Sequence, residues 1–251
     1  MNLTSIVIAV LVPVILGLLP KLIPFIPAPN ENFSPIDILE KRYRKWYILG
    51  NIIIFPVMII SVIAVYFILD LLSERFLNEF NDHLLILKTE PTLFGLPAIF
   101  IGIFLAAGIM MFFTIIIMKD NVAEYLYYEN IKSGYHITKL LKYMAFSIIP
   151  LMIIISVLCL DTYAVIYPDK IVINEFSTLT SKTYHYTQIS SIKESSEILN
   201  TEKPTGYQLV FSDGYKWDSN SELYKYDKKQ QDVLAELLLK FRNDQLKPNE
   251  N

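Results

Sequence analysis

Four blocks of apolar residues separated by polar connections occupy the first 160 positions, and alternating polar and β-branched or aromatic positions fill the rest. The clearest block runs from Tyr47 to Leu69, uncharged apart from the tyrosine phenols at its ends. As a helix it reaches roughly 35 Å, enough for a hydrocarbon core of about 30 Å. Thr92 to Met118 is uncharged throughout, Tyr143 to Leu160 lies between Lys142 and Asp161, and Leu3 to Pro20 is the least regular. Helix is the expected structure in all four, because a lone strand leaves backbone groups unpaired in lipid. The first block lacks a preceding Lys or Arg and ends in Ile26-Pro27-Ala28-Pro29, so it reads as a retained span rather than a cleaved leader. The flanks carry interfacial anchors, Lys41, Arg42, Tyr43, Arg44, Lys45, Trp46 and Tyr47 before the second block and Lys119 with Asp120 after the third.

Proline stands in every block, at Pro13, Pro56, Pro97 and Pro150, and is expected to bend each helix. No Asp, Glu, Lys, Arg or His lies near the middle of a block, which favours an ordinary membrane-helix proline over an ion- or substrate-binding break. Gly102 and Ala106, with Ala107 and Gly108 one face over, offer small residues for close helix packing. Asn51, Ser61, Thr114 and Ser147 are expected to hydrogen-bond between helices.

Basic residues set orientation. The first and third connections hold nine Lys and Arg (Lys21, Lys41, Arg42, Arg44, Lys45, Lys119, Lys132, Lys139, Lys142), against Arg75 and Lys88 in the second. The first and third connections are therefore expected in the cytoplasm and both termini outside. Should the first block re-enter rather than cross, only the amino terminus changes side. Within the third connection, Asn121 to Ile131 reads either as an interfacial amphipathic helix or as an extension of the third span, ended by Ser133-Gly134.

After Leu160 the pattern predicts strands at Thr162–Tyr167, Ile171–Phe176, Thr183–Thr187, Ile189–Ile192, Tyr207–Phe211 and Tyr215–Trp217. Pro168-Asp169-Lys170 and Ser212-Asp213-Gly214 supply turns. Asp227 is placed to cap a helix whose apolar stripe is Val233, Leu234, Leu237, Leu238 and Phe241. The expected fold class is a polytopic α-helical membrane protein of about four spans (1–160) with a carboxy-terminal α+β domain (161–246) and a disordered tail (247–251). Tyr163, Asp169-Lys170-Ile171, Tyr184, Tyr186, Ile189, Ile192, Tyr207, Asp213-Gly214 and the terminal Leu-rich helix together resemble the bacterial pleckstrin-homology-like domains attached to membrane helices. The resemblance covers the last third of the chain. It implies a strongly bent antiparallel sheet capped by a helix and used for protein contact or self-assembly.

Composition narrows the chemistry. Hydrophobic residues make up 53% of the chain and charged residues 19%, with a formal net charge of -3, which excludes a disordered chain and gives no nucleic-acid footprint. The last 91 residues hold 11 basic and 14 acidic side chains, so an anionic headgroup is a poor ligand for that domain. The single Cys159 excludes an internal disulfide and reads as a packing residue. His83, His136 and His185 lie in three separate segments, and Glu79 with Asp82-His83 reads as a solvated loop before an acid/base site. Ser190, Ser191, Ser195 and Ser196 form a polar edge with no base in view. No nucleophile, phosphate-loop or metal motif occurs, so no cofactor and no enzyme activity is expected. The expected role is a scaffold, interaction or sensing protein of the bacterial cytoplasmic membrane, in contact with lipid and with a protein partner or a second copy. The rivals are a small transporter or transporter accessory subunit and, from a third class, a lipid-directed enzyme.

Overall fold

The computed structural model describes residues 23–27, 33–176, 178, 180–195, 206–219, 221, 223–225 and 228–246. Three helical stretches among them are long and apolar enough to cross a membrane: Ile36–Leu77, Pro91–Ser133 and Ile137–Leu160. The expected first span, its Pro13, the Asp227 cap, the Phe241 side chain and the 247–251 tail lie outside the described residues. The chain folds as two compact units, Met1–Val65 with Ile99–Met152, and Tyr66–Ala98 with Ile153–Asn251.

In the first unit, helix α1 (Ile36–Leu77) begins and, at 42 residues, extends about 63 Å in all, well beyond one hydrocarbon thickness. It runs through Pro56 without interruption. Helix α2 (Gly95–Met118) packs a small-residue face: Gly102 and Ala106 are buried, and Gly102 lies directly against the backbone of Val62 in α1. The opposite faces carry large exposed apolar side chains such as Ile52, Phe55 and Phe112, the arrangement suited to lipid rather than water. At Lys119 the backbone turns left-handed (φ 48°), a conformation that costs a non-glycine residue roughly 1–2 kcal/mol. A single 3₁₀ turn (Lys119–Asn121) then leads into α3 (Val122–Ser133), so α3 continues the third span only through a strained break. Gly134 (φ 77°) closes α3, its N–H bonding Asn130 O at 2.9 Å. The last span begins as α4 (Ile137–Tyr143), widens into a π turn at Met144–Ile148, and resumes as α5 (Ile149–Leu160). Pro150 accounts for the π turn, since its ring clashes with the carbonyl four residues back and a wider turn relieves that contact.

Among the described residues the second unit contains seven strands. Six are those of the carboxy-terminal pattern: β2 (Tyr163–Ile166), β3 (Lys170–Asn174), β4 (Lys182–His185), β5 (Ile189–Ser195), β6 (Gly206–Phe211) and β7 (Lys216–Asp218). The seventh, β1 (Leu85–Lys88), comes from the connection between the first two described spans. Two antiparallel sheets result, ordered β1-β2-β3-β4 and β5-β6-β7, and helix α6 (Lys228–Leu246) follows them. Strand β2 is buried at all four positions because both sheet faces are covered. Ala164 and Ile166 join the main core with Leu209, Phe211, Trp217, Leu234 and Leu238, whereas Tyr163 and Val165 pack with Leu77 at the end of α1. The α6 stripe Val233, Leu234, Leu237 and Leu238 covers the main core as its spacing predicts.

The β6–β7 turn shows its chemistry plainly. Gly214 sits at φ 83°, the Tyr215 N–H bonds Asp213 Oδ1 at 2.9 Å, and the Tyr184 hydroxyl donates to Asp213 Oδ2 at 2.8 Å. The Tyr215 N–H and the Tyr184 hydroxyl hold the Asp213 carboxyl below the usual carboxylate range, while burial and that same carboxylate push the Tyr184 phenol up to about 12. A depressed folded pKa gives stability that is complete above the unfolded value of about 4 and is lost as pH falls through the folded value. Asp213→Asn is therefore expected to lower the neutral plateau of the thermal-melting profile modestly and to flatten its acid limb.

Candidate functional site

At the polar end of the first unit, two helices are tied by charge. The side chain of Glu124, on α3 and 14% exposed, accepts from Ser34 Oγ (2.8 Å), Arg42 Nη1 (2.6 Å) and the Tyr43 hydroxyl (2.6 Å). Two residues before Arg42 on α1, Glu40 pairs with Lys132 at 2.5 Å. Between these pairs Leu39, Tyr43, Met118, Tyr125 and Tyr128 form an apolar cluster, with the Tyr43 and Tyr125 rings edge-on at 5.5 Å. The chain before α1 is pinned to the turn after α3, where Phe25 N–H bonds Gly134 O, His136 N–H bonds Ile23 O, and the Phe25 ring meets the rings of Tyr127 and His136. Asn130, itself buried, accepts the Ile137 N–H at 2.9 Å and so holds the start of α4.

The anchors inferred from sequence divide here. Arg42 is spent on Glu124, while Lys41, Arg44 and Lys45 are exposed and Trp46 is 43% exposed. Of the small residues, Gly102 and Ala106 pack, and Gly108 faces open space. Asn51 does not bridge helices: its Nδ2 donates to Tyr47 O in its own turn. Ser61 is buried, Thr114 is partly buried and Ser147 is exposed. Tyr43 and Tyr47, expected among the interfacial anchors, are packing residues instead: Tyr43 is buried in the apolar cluster and Tyr47 packs against it. Their spacing with Leu39, at i, i+4 and i+8, is the available signal. Removing the hub by Glu124→Ala strands the Tyr43 and Ser34 hydroxyls and unpairs Arg42, with an expected loss of about 1–3 kcal/mol, read as a lower melting temperature in detergent.

In the second unit the span ends are fastened to the sheet. Thr89, just after β1, places Oγ1 2.6 Å from Cys159 O and 2.5 Å from Thr162 O, and the Thr162 hydroxyl donates to Leu158 O at 2.8 Å. The bonds to Leu158 O and Cys159 O add partners to carbonyls in the last turn of α5, and the bond to Thr162 O lies just beyond it. Pro97 falls in the first turn of α2 and leaves the Leu93 carbonyl without its usual N–H, and the Cys159 thiol takes that place at 3.7 Å. Cys159 is thus a buried packing and bonding group. On its far side, β1 is covered by the Lys225 N–H on Lys88 O and by Gln230 Nε2 on Ile86 O. Exposed side chains line β4 at Lys182, Thr183 and His185, and Lys182 Nζ lies 3.9 Å from the Tyr215 ring centre. His83 Nδ1 is 2.9 Å from Phe80 O, within a turn where Asp82 is left-handed (φ 58°). No group of three metal-ligating side chains occurs among the described residues.

The fold and these contacts define a class: helices fit to span a membrane, whose ends are built into an antiparallel β domain closed by one helix. Comparison with protein families, curated proteins and solved structures finds no match for the chain.

Proposed function

We propose that the protein is an integral component of the bacterial cytoplasmic membrane in which four spans carry a pleckstrin-homology-like domain, acting without catalysis as a scaffold, interaction or sensing module. One observation carries the reading. The span segments Tyr66–Leu77, Gly95–Ala98 and Ile153–Leu160 belong to the same compact unit as the seven strands, so the domain is continuous with the spans rather than tethered to them. A shift of the helix ends would move β1 and β2, and with them the surface offered to a partner. Sheets of four and three antiparallel strands followed by a core-covering helix support the resemblance drawn from the carboxy-terminal motifs. The pairing of β1 with β2 supports a common side for the second connection and the domain, and the nine-to-two division of loop cations favours the extracytoplasmic side.

The transport reading relies on proline-opened backbone. Here the carbonyl freed by Pro97 is used by Cys159, and Pro150 is absorbed by a π turn. The two functions separate in one experiment on the full-length protein. Photo-crosslinkers at Lys182 and His185 in native membranes are expected to give discrete protein adducts, and proteoliposomes are expected to show the ion and solute flux of empty vesicles. A flux that Pro56→Ala and Pro150→Ala abolish without unfolding the protein overturns the scaffold reading in favour of transport.

A further inference from the structure

The amino-terminal end of α1 carries three cations that the polar cluster does not use. Glu124 and Glu40 are occupied by Arg42 and Lys132, whereas Lys41, Arg44 and Lys45 are exposed and form no ion pair among the described residues. At about 100° per residue, positions 41, 44 and 45 share one helix face. That face continues as an apolar stripe, at Ile48, Ile52 and Phe55, spaced i+7, i+11 and i+14 from Lys41. Ile52 and Phe55 are each 62% exposed, and none of the described residues covers the stripe. Asp37, one turn before Lys41 on the same face, leaves a local surplus of two positive charges. From Lys45 to Phe55 the helix rises about 15 Å, the depth of one leaflet of hydrocarbon.

We propose that this face is a binding site for a glycerophospholipid with an anionic headgroup, the phosphate held by Lys41, Arg44 and Lys45 and an acyl chain laid along Ile48, Ile52 and Phe55. The inference rests on the membrane reading of α1. Charge complementarity selects the headgroup, and the unbroken passage from cations to exposed apolar side chains selects a lipid over free phosphate. A zwitterionic lipid offers its phosphate with a positive group attached and gains less from three cations. Each basic residue near an anionic surface contributes about 1 kcal/mol, close to fivefold, so the three together predict a preference of about 100-fold.

Native mass spectrometry of the full-length protein released from nanodiscs of mixed phosphatidylglycerol and phosphatidylcholine tests this. The expected result is a retained phosphatidylglycerol adduct, weakened about 100-fold in Lys41→Gln/Arg44→Gln/Lys45→Gln and little changed in Lys139→Gln/Lys142→Gln. The weaker variant Phe55→Ala should shorten retention while leaving headgroup preference intact. Equal retention of both lipids by the unaltered protein, or an adduct that survives the triple substitution, overturns the site. Displacement of the lipid by millimolar inorganic phosphate overturns the role of the acyl chain. A protein that enters nanodiscs but shows no lipid preference refutes the site alone, whereas one that stays monodisperse without detergent or lipid refutes the membrane reading beneath it.

Discussion

Trp217→Ala is expected to destabilise the β domain by about 3–5 kcal/mol, a large share of the 5–15 kcal/mol that a domain of this size has in total. Trp217 is 1% exposed, stands opposite Leu209 in the β6–β7 ladder, and meets the Tyr224 ring edge-on at 6.2 Å. Its removal leaves a cavity in the main core beside Leu209 and Tyr224. Limited proteolysis of the full-length protein in membranes should then cut within residues 206–219 far faster than in the unaltered chain. The other tryptophan supplies the control. Trp46 is largely outside the packed core, and Trp46→Ala should leave the cleavage rate of the β domain unchanged. Equal protease resistance for Trp217→Ala and the unaltered chain would show that the core is not closed by this residue.

The second large effect is at Gly102. A Cβ built there lies 2.6 Å from Val62 Cα and 2.7 Å from Val62 N, contacts with backbone that no rotamer change relieves. Gly102→Ala must therefore separate α1 from α2, with an expected cost of about 1–3 kcal/mol from overpacking, despite the better helix propensity of alanine. Gly108→Ala makes the same chemical change six residues on, where nothing lies within 4 Å. There the propensity gain of up to about 1 kcal/mol acts alone. Unfolding in mixed micelles should move in opposite directions for the two variants. Movement in the same direction would contradict the close helix approach.

The same contrast explains what is legible in sequence. Gly102 and Ala106 declare a packing face by their size, and the apolar blocks declare three described spans by length alone. The carboxy-terminal strands follow from alternation and from turns such as Asp213-Gly214, whose left-handed glycine the structure retains. Strand β1 does not announce itself. Leu85–Lys88 is four residues at the mouth of a connection, and only hydrogen bonding to β2, nearly eighty residues away, makes it a strand. The tyrosines at 43, 47, 125 and 128 are ambiguous for another reason. An interfacial belt and a packed helix pair use the same residue type, and the partner that decides between them lies on a distant segment. Pro97 looks like a mid-span bend until the helix start is known, and its freed carbonyl has meaning only beside Cys159.

Cysteine accessibility in sealed vesicles tests the membrane path most directly. With Cys159→Ser as background, single substitutions Asp82→Cys, Ser181→Cys, Lys41→Cys and Lys139→Cys occupy exposed positions. An impermeant maleimide is expected to label positions 82 and 181 from one face of the vesicle and 41 and 139 only from the other. Labelling of all four from the same face, or release of the protein from the vesicles by alkaline carbonate, would contradict the account.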